Sequence, residues 1–469
     1  MTPPSPPAAP APTPSARQPR APLPFISVPR KRPAELADDK RLAARQYPVH
    51  VGVDTGKTFH KLVALGPDGR RTTALRVDVS RAGFEAADAY LTTTFPDVPR
   101  AQMLVALEFA GHQGFTFAHF LARQGYAVVS VLPAVTKALK QVEDNSPQKD
   151  DAKDAAQICR TVGQGYYVAF PLLDDRGAAL RTLATERHRL SVEETRLVNR
   201  LHAALDLAWP EFAGQFSDLA MKTPLAVLAR WPMPADLAHA APRMVARVVK
   251  TASRNHVGPA RIQALLASAH ETIAVQVGTA SRRAELQRVL DRWALLRAHT
   301  EAVEGELAGL VDAHPAARAL TTVPGVGVVC AATLVAELGD PTWYDCPRQL
   351  VKLAGMTLAT RESGTSIRGR SRQTKHGRPL LRRQLFLLAG RWCQSRGLYR
   401  DQYLAYVARG MPKTAAVCAV ARKLVPLLFR VMRTEAPFDV ARWQEDRRRA
   451  DDSPSSATEG VTPRTTTMP

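Results

Sequence analysis

Two runs in this chain are too apolar to be anything but buried strands, and each leads straight to a carboxylate. Val51-Gly52-Val53 ends on Asp54, and Val105-Ala106-Leu107 ends on Glu108. A charge set into such a run is costly to bury unless a cation or a proton compensates it. A single acid of this kind would ordinarily sit in water at a strand end. Two of them constrain how the strands must be arranged.

The surrounding pattern supplies that arrangement. Residues 48–53, 60–65 and 71–77 are short β-rich runs separated by Asp-Thr-Gly and Gly-Pro-Asp-Gly turns. Helical spacing follows at 84–91, a strand at 103–109, a helix at 115–122 and a strand at 127–132. Three hairpin-linked strands followed by β-α-β units describe an α/β, ribonuclease-H-like layout. That layout sets the strands of Asp54 and Glu108 side by side.

A third acidic element lies at 145–156, Asn-Ser-Pro-Gln-Lys-Asp-Asp-Ala-Lys-Asp-Ala-Ala. Ser146 as N-cap and Pro147 as first helical residue start a helix, and Asp151 and Asp154, three apart, share one face. Acids in a first helical turn often only complement the helix dipole, which would account for Asp150 and Asp151. Asp154 lies a turn further in and fits that explanation less well. Four oxygen ligands, Asp54, Glu108, Asp151 and Asp154, suit a hard Mg²⁺ or Mn²⁺, and paired ions of this kind serve phosphodiester chemistry. Asp54-Thr55-Gly56-Lys57-Thr58 also looks like the end of a Walker A loop, but Val51 stands where that loop needs glycine. The phosphate loop of actin-like ATPases would need a second nucleotide-binding lobe, and no Gly-rich candidate for one follows.

From about residue 177 to the early 430s no comparable strand signal appears, and the chain reads as mainly helical. Leucines at spacings near seven and four run through 180–207 and again through 286–310. Such spacing suits a coiled coil or helical hairpin, and equally an ordinary amphipathic helix within one subunit. Further on, Pro324-Gly325-Val326-Gly327 reads as a turn into an Ala-rich helix whose N-terminus could hold phosphate.

The segment 361–383 carries Arg361, Arg368, Arg370, Arg372, Lys375, Arg378, Arg382 and Arg383 against the single acid Glu362. The whole chain is formally +21, so one third of its excess is concentrated here. Clustered guanidiniums neutralise phosphates, and such binding weakens steeply with salt. Ser363, beside Gly364, lies in this loop. From the residues alone its claim to be a nucleophile is low, and Ser366 and Ser371 have nearly equal ones, since serines in glycine-rich loops mostly make turns.

The charge implies an anionic polymer as partner, and no apolar run approaches the roughly 18–20 residues that span a bilayer. Five cysteines without a C-x-x-C pair read as reduced thiols of a cytoplasmic protein, with no zinc site. Nucleic acid is the expected partner. Residues 1–47, with twelve prolines, and 437–469 are expected to be disordered tails.

In combination, these residues resemble the DEDD transposases of the insertion-sequence-110 (110/116/902) family, which includes Piv-like DNA invertases. The resemblance rests on Asp54 after a Val-Gly-Val strand, Glu108 before Gly111, and Lys-x-Asp-x-x-Asp-Ala at Lys149, Asp151, Asp154 and Ala155. It continues through Asn199-Arg200-Leu201, Trp209-Pro210, Pro-Gly-Val-Gly and the Leu-x-x-Leu-Ala-Gly of Leu350 to Gly355. Ser363-Gly364 and Lys375-x-Gly377 with Leu381-Arg382 complete it, over about 48–435. Ala110 stands where that family often has threonine. The resemblance implies a RuvC-like domain (48–175) whose four acids hold Mg²⁺ or Mn²⁺, a coiled-coil connection (176–315) and a C-terminal transposase domain (316–436). It implies that Ser363 attacks a DNA phosphate, that the protein is a dimer or tetramer, and that a structured non-coding guide RNA takes part. It further implies a bacterial protein of the nucleoid. A metal-dependent nuclease or junction resolvase on the same fold, or an inactive nucleic-acid-binding relative, are the competing readings.

Overall fold

Strands buried on both faces have no polar alternation to show, and the runs 103–109 and 127–132 are of that kind. The computed structural model describes residues 33–109, 112–143, 151–170, 173–344, 346–363, 367–394 and 398–445; for 33–38, 143, 169, 343 and 360–371 it describes the backbone alone. The chain divides into two units, Met1–Leu173 with Thr342–Cys346, and Asp174–Pro341 with Pro347–Pro469.

The first unit begins with α1 (Pro33–Arg45), β1 (Val49–Thr55), β2 (Phe59–Leu65), β3 (Leu75–Asp78), α2 (Arg81–Thr94) and β4 (Met103–Glu108). It continues with α3 (Phe115–Arg123), β5 (Ala127–Val131), α4 (Pro133–Glu143), α5 (Asp151–Gly163) and β6 (Val168–Ala169). The strands form one mixed sheet in the order β3-β2-β1-β4-β5-β6. β1, β4 and β5 are parallel neighbours, while the pairs β1/β2, β2/β3 and β5/β6 are antiparallel.

Side chains alternate across the sheet with period two. Val49, Val51, Val53, Met103, Val105 and Leu107 join one core cluster with Phe84, Leu91, Phe117 and Leu121 of α2 and α3. Leu104, Ala106, Val129 and Val131 join a second cluster with Ile158 and Val162 of α5 and Ala44 of α1. By the same parity, Asp54 and Glu108 belong to the α5 face.

Two details of this unit differ from the sequence expectations. The third strand is shorter than 71–77: Arg71 makes an isolated bridge with Leu65, and β3 proper starts at Leu75. Helix α1 forms where no element was expected, because Pro33 is its first residue and the rest of it is proline-free. It is tied down by buried Ala44 and by Lys40, whose Nζ donates to the Tyr167 carbonyl at 2.8 Å.

The second unit opens with α6 (Asp175–Ala208), followed by five short helices: α7 (Pro210–Gly214), α8 (Lys222–Arg230), α9 (Pro234–Ala238), α10 (Pro242–Ala252) and α11 (Pro259–His270). Then come α12 (Thr279–Asp312), α13 (Pro315–Thr321), α14 (Val328–Leu338) and α15 (Pro347–Leu353). Strands β7 (Leu358–Ser363) and β8 (Ile367–Gln373) precede α16 (Pro379–Trp392), α17 (Arg400–Ala408) and α18 (Lys413–Thr434). The leucine stripes of α6 and α12 face each other within the chain. Leu201, Leu205, Leu286 and Leu290 share a core with Trp209, Phe212 and Trp231 of the segment between the two long helices.

The β7–β8 pair is a correction: an antiparallel ribbon stands where the sequence reads as a basic loop within a mainly helical region. Its second strand, Ile-Arg-Gly-Arg-Ser-Arg-Gln, has almost no apolar residues, so hydrophobic periodicity could not reveal it.

Candidate active site

Helix α5 can approach β1 closely because β1 has a glycine where they cross. A Cβ on Gly52 would fall 2.2 Å from the Ala155 carbonyl oxygen and 2.4 Å from the Cys159 nitrogen. The crossing fixes the direction of the helix too. Cys159 Sγ lies 3.1 Å from the His50 carbonyl oxygen, and Gly163 comes against the His50 ring, so helix numbers rise as strand numbers fall. The first turn of α5 therefore lies at the end of β1 that carries Asp54.

There Asp54, Asp151 and Asp154 bring carboxylate oxygens within 4.8 Å of one another. Asp54 and Asp154 are half-buried, and Asp151 is exposed. Glu108 pairs in register with Asp54 on the adjacent strand and stays outside that group of three. Like charges at such a separation repel by about 1 kcal/mol in water and about 3.5 kcal/mol at an effective dielectric constant near 20. Three carboxylates converging from a strand and a helix thus present an all-oxygen donor set with a demand for positive charge, which fits a divalent cation. Part of that demand is met by Lys140 of α4, whose Nζ donates to Asp154 Oδ1 at 2.5 Å.

Neighbouring groups hold the end of β1 in place. Thr55 Oγ1 donates to the Glu108 carbonyl at 2.6 Å, tying the two acid-bearing strands at the site itself. A Cβ on Gly114, whose φ is +84°, would lie 2.5 Å from Thr55 Cγ2, so glycine is required on steric and conformational grounds. His60 is buried at 1% exposure, and its Nδ1 accepts from the Gly56 nitrogen at 3.2 Å, fixing the turn after Asp54. Burial among Phe84 and Phe117 lowers the His60 pKa, so the ring is neutral.

Lys140, Thr55 and His60 were not singled out from the sequence. Lys140 is one of the two lysines of α4, Lys137 and Lys140, and no local signal marks it. His60 could have been found as the polar residue in an otherwise apolar position of β2. Ser146, expected as the N-cap, and Pro147, Lys149, Asp150, Ala110 and Gly111 lie outside the described residues.

In the second unit, Ser363 closes β7 opposite Ile367, and Arg361 pairs with Gly369. The side chains of Arg361, Ser363, Arg368 and Arg370, and residues 364–366, lie outside the described part. Arg372, Lys375 and Arg383 are exposed. Arg378 and Arg382 are engaged differently. Arg382 Nη1 donates to the carbonyls of Ala354 at 3.0 Å and Lys375 at 3.2 Å, and Arg378 donates to the Glu337 carbonyl. These bonds pin the base of the ribbon to α15 and α14. Gly377 lets the chain pass there, since a Cβ would lie 2.3 Å from the Leu353 carbonyl oxygen.

The Pro-Gly-Val-Gly turn joins α13 to α14. Trp392 Nε1 donates to the Pro324 carbonyl at 2.6 Å, Arg391 Nη1 to that of Gly325 at 3.0 Å, and Gly327 is the N-cap of α14. Arg383 and Arg391 line an open groove with His188 and Gly327. Among the described residues no helix is long and apolar enough to cross a membrane.

Comparison with known proteins places this geometry in context. Residues 51–210 match a family model described as Transposase, of the DEDD type of IS110, and residues 317–404 match one described as Transposase IS116/IS110/IS902 family. A 43.6 kDa protein of insertion element IS110 from Streptomyces coelicolor is 28% identical over 82% of this chain and 94% of its own length. A 44.8 kDa protein of insertion element IS116 from Streptomyces clavuligerus is 28% identical over 85% of this chain and 98% of its own. A pilin gene-inverting protein of Moraxella bovis is 31% identical over 26% of this chain and 38% of its own length.

Proposed function

The chain belongs to the IS116/IS110/IS902 family of insertion-element transposases, and from that premise we propose that it cleaves and rejoins DNA with a metal-binding acid group and a serine nucleophile. The observation that carries this reading is the convergence of Asp54, Asp151 and Asp154 within 4.8 Å. Glu108, in register beside Asp54, is the fourth acid. The fold of the first unit is read as ribonuclease-H-like (RuvC-like), supported by the strand order and by the acids at its β1 and β4 ends.

Asp54, Glu108, Asp151 and Asp154 would hold Mg²⁺ or Mn²⁺, which supplies charge stabilisation to a phosphate undergoing displacement. The half-buried carboxylates keep their oxygens in one place, and Lys140 limits their mutual repulsion. Ser363 is proposed to attack the DNA phosphorus through Oγ. A phosphoserine ester forms as one strand P–O bond breaks, and the departing strand oxygen takes up a proton. Rejoining reverses the exchange with a different strand end, so no external energy source is required. The exposed Arg372, Lys375 and Arg383 would neutralise backbone phosphates. Arg361, Arg368 and Arg370, on the same ribbon, are assigned the same role.

The reading extends to a dimer or tetramer guided by a structured non-coding RNA, for which the basic surface offers the charge. A metal-dependent nuclease on the same fold would use the acids and not Ser363. The deciding experiment compares wild type, Asp54→Asn and Ser363→Ala on DNA carrying the element's own ends. Asp54→Asn should bind and not recombine, and Ser363→Ala should lose an SDS-stable protein–DNA adduct. Recombination by Asp54→Asn would overturn the role of the acids. Cutting without an adduct by wild type would favour the nuclease.

A further inference from the structure

The α6–α12 hairpin carries a basic trough that the acid group and the β7–β8 ribbon do not account for. The two helices are antiparallel: Arg187 Nε meets Glu304 Oε1 at 2.6 Å at one end, while Ala203 shares a groove with Glu285 and Val289 towards the other. A second groove lies between Arg196 and His299, and both grooves include Arg200 and Arg292, so they form one continuous channel along the seam.

We propose that this trough, through Arg196, Arg200, Arg288 and Arg292, binds the phosphate backbone of duplex DNA. All four arginines are exposed, and among the described residues none forms an ion pair. Other cations of the same helices are matched: Arg187 with Glu304, Arg283 with Asp236 and Arg297 with Glu301. The neutralised and unneutralised parts of the hairpin are thus distinct. Arg196 and Arg200, and likewise Arg288 and Arg292, stand four residues apart, which places them about 6 Å apart along each helix. With Arg282 added and Glu193 and Glu285 subtracted, the trough keeps a net charge of +3.

The chemistry points to a duplex backbone. Guanidiniums offer paired donors that fit phosphate oxygens. No Phe, Tyr or Trp lines either groove and His299 is the single ring among the lining residues, so there is no series of rings on which successive single-stranded bases could stack. Contacts of this kind position a duplex without reading its sequence. The inference rests on the DNA reading proposed above and adds to it a surface on the helical hairpin.

The test uses the full-length chain and a quadruple variant, Arg196→Gln, Arg200→Gln, Arg288→Gln and Arg292→Gln. Binding to long mixed-sequence DNA and RNA duplexes is measured across a salt series, with circular dichroism and light scattering on the same samples. Each lost phosphate contact lowers the slope of log K against log salt by about 0.9, so the expected drop is about three to four. A variant with all four residues changed to lysine should keep the wild-type slope. A glutamine variant of native helicity and mass with an unchanged slope would overturn the proposal. So would a change of oligomeric mass at unchanged slope, which would make the trough a protein interface, or a loss confined to duplex RNA. If wild type shows no salt-dependent DNA binding at all, the DNA reading of the whole chain fails; if only the variant comparison fails, this surface alone is wrong.

Discussion

Gly52 and Ala155 leave no space for a single carbon between them: a Cβ on the glycine would lie 2.2 Å from the alanine's carbonyl oxygen. The acid group depends on that approach, because the helix that touches β1 at Gly52 carries Asp151 and Asp154 one turn closer to Asp54.

Gly52→Ala should therefore act at a distance of two residues. Overpacking of this kind costs about 1–3 kcal/mol, and the strain has to be relieved by moving α5 outward. Urea unfolding should show the loss of stability, and strand exchange should fall further than the loss of folded protein explains. Wild-type activity in the folded variant would separate the helix position from the chemistry.

Asp151→Asn should have opposite effects with and without metal. In metal-free buffer it removes one of three converging charges, and because Asp151 is exposed the gain is at most about 1 kcal/mol. Saturating Mn²⁺ or Mg²⁺ should raise the wild-type melting temperature, by about 2.7 kcal/mol of stabilisation at a hundredfold excess over the dissociation constant. The variant should lose most of that rise. Equal shifts in both proteins would remove Asp151 from the ligand set.

Half-buried His50 and buried His60 predict an acid-sensitive fold. Burial lowers the pKa of both His50 and His60 from the ordinary value of 6.5. Below about pH 6.5 the unfolded chain takes up protons that the folded one refuses, so stability present above that pH declines as pH falls. His60→Gln keeps an acceptor for Gly56 and should flatten the decline between pH 7 and 5. It should also cost about 1 kcal/mol in lost ring contact with Phe84 and Phe117. An unchanged pH slope would count against His60 as a source.

Arg382 and Arg383 are neighbours with different expected phenotypes. Arg382→Met removes charged bonds to two carbonyls and should destabilise the second unit by about 1.5–3 kcal/mol. Arg383→Gln should leave stability within about 0.5 kcal/mol and reduce the salt slope of DNA binding by about one. Thermal melts and a salt titration on both variants distinguish the roles.

The acid-bearing strands were legible because a carboxylate in an apolar run stands out, as at Asp54 and Glu108. Their adjacency followed from strand order, which turns and apolar runs announce. Helix α5 was legible from its polar start and apolar body, but the crossing at Gly52 was not, since a glycine in a strand does not say what lies over it. Lys140 is invisible for a related reason: its partner Asp154 is fourteen residues away on another helix. The β7–β8 ribbon escaped notice because its pairing is made by the backbone while its second strand alternates arginine with glycine and serine. Arg378 and Arg382 look like their basic neighbours in sequence, and only the carbonyls around them tell them apart.

The two long helices of the hairpin are each 34 residues. At 1.5 Å per residue each is about 51 Å long, the length of about fifteen stacked base pairs at 3.4 Å. The length of one helix cannot change independently of the other, because their leucines share one core. A residue deleted from α6 would slide every later leucine past its mate on α12 and turn it about 100° out of the seam. Length can change only when both helices gain or lose the same whole heptads, so packing holds the length of this hairpin constant.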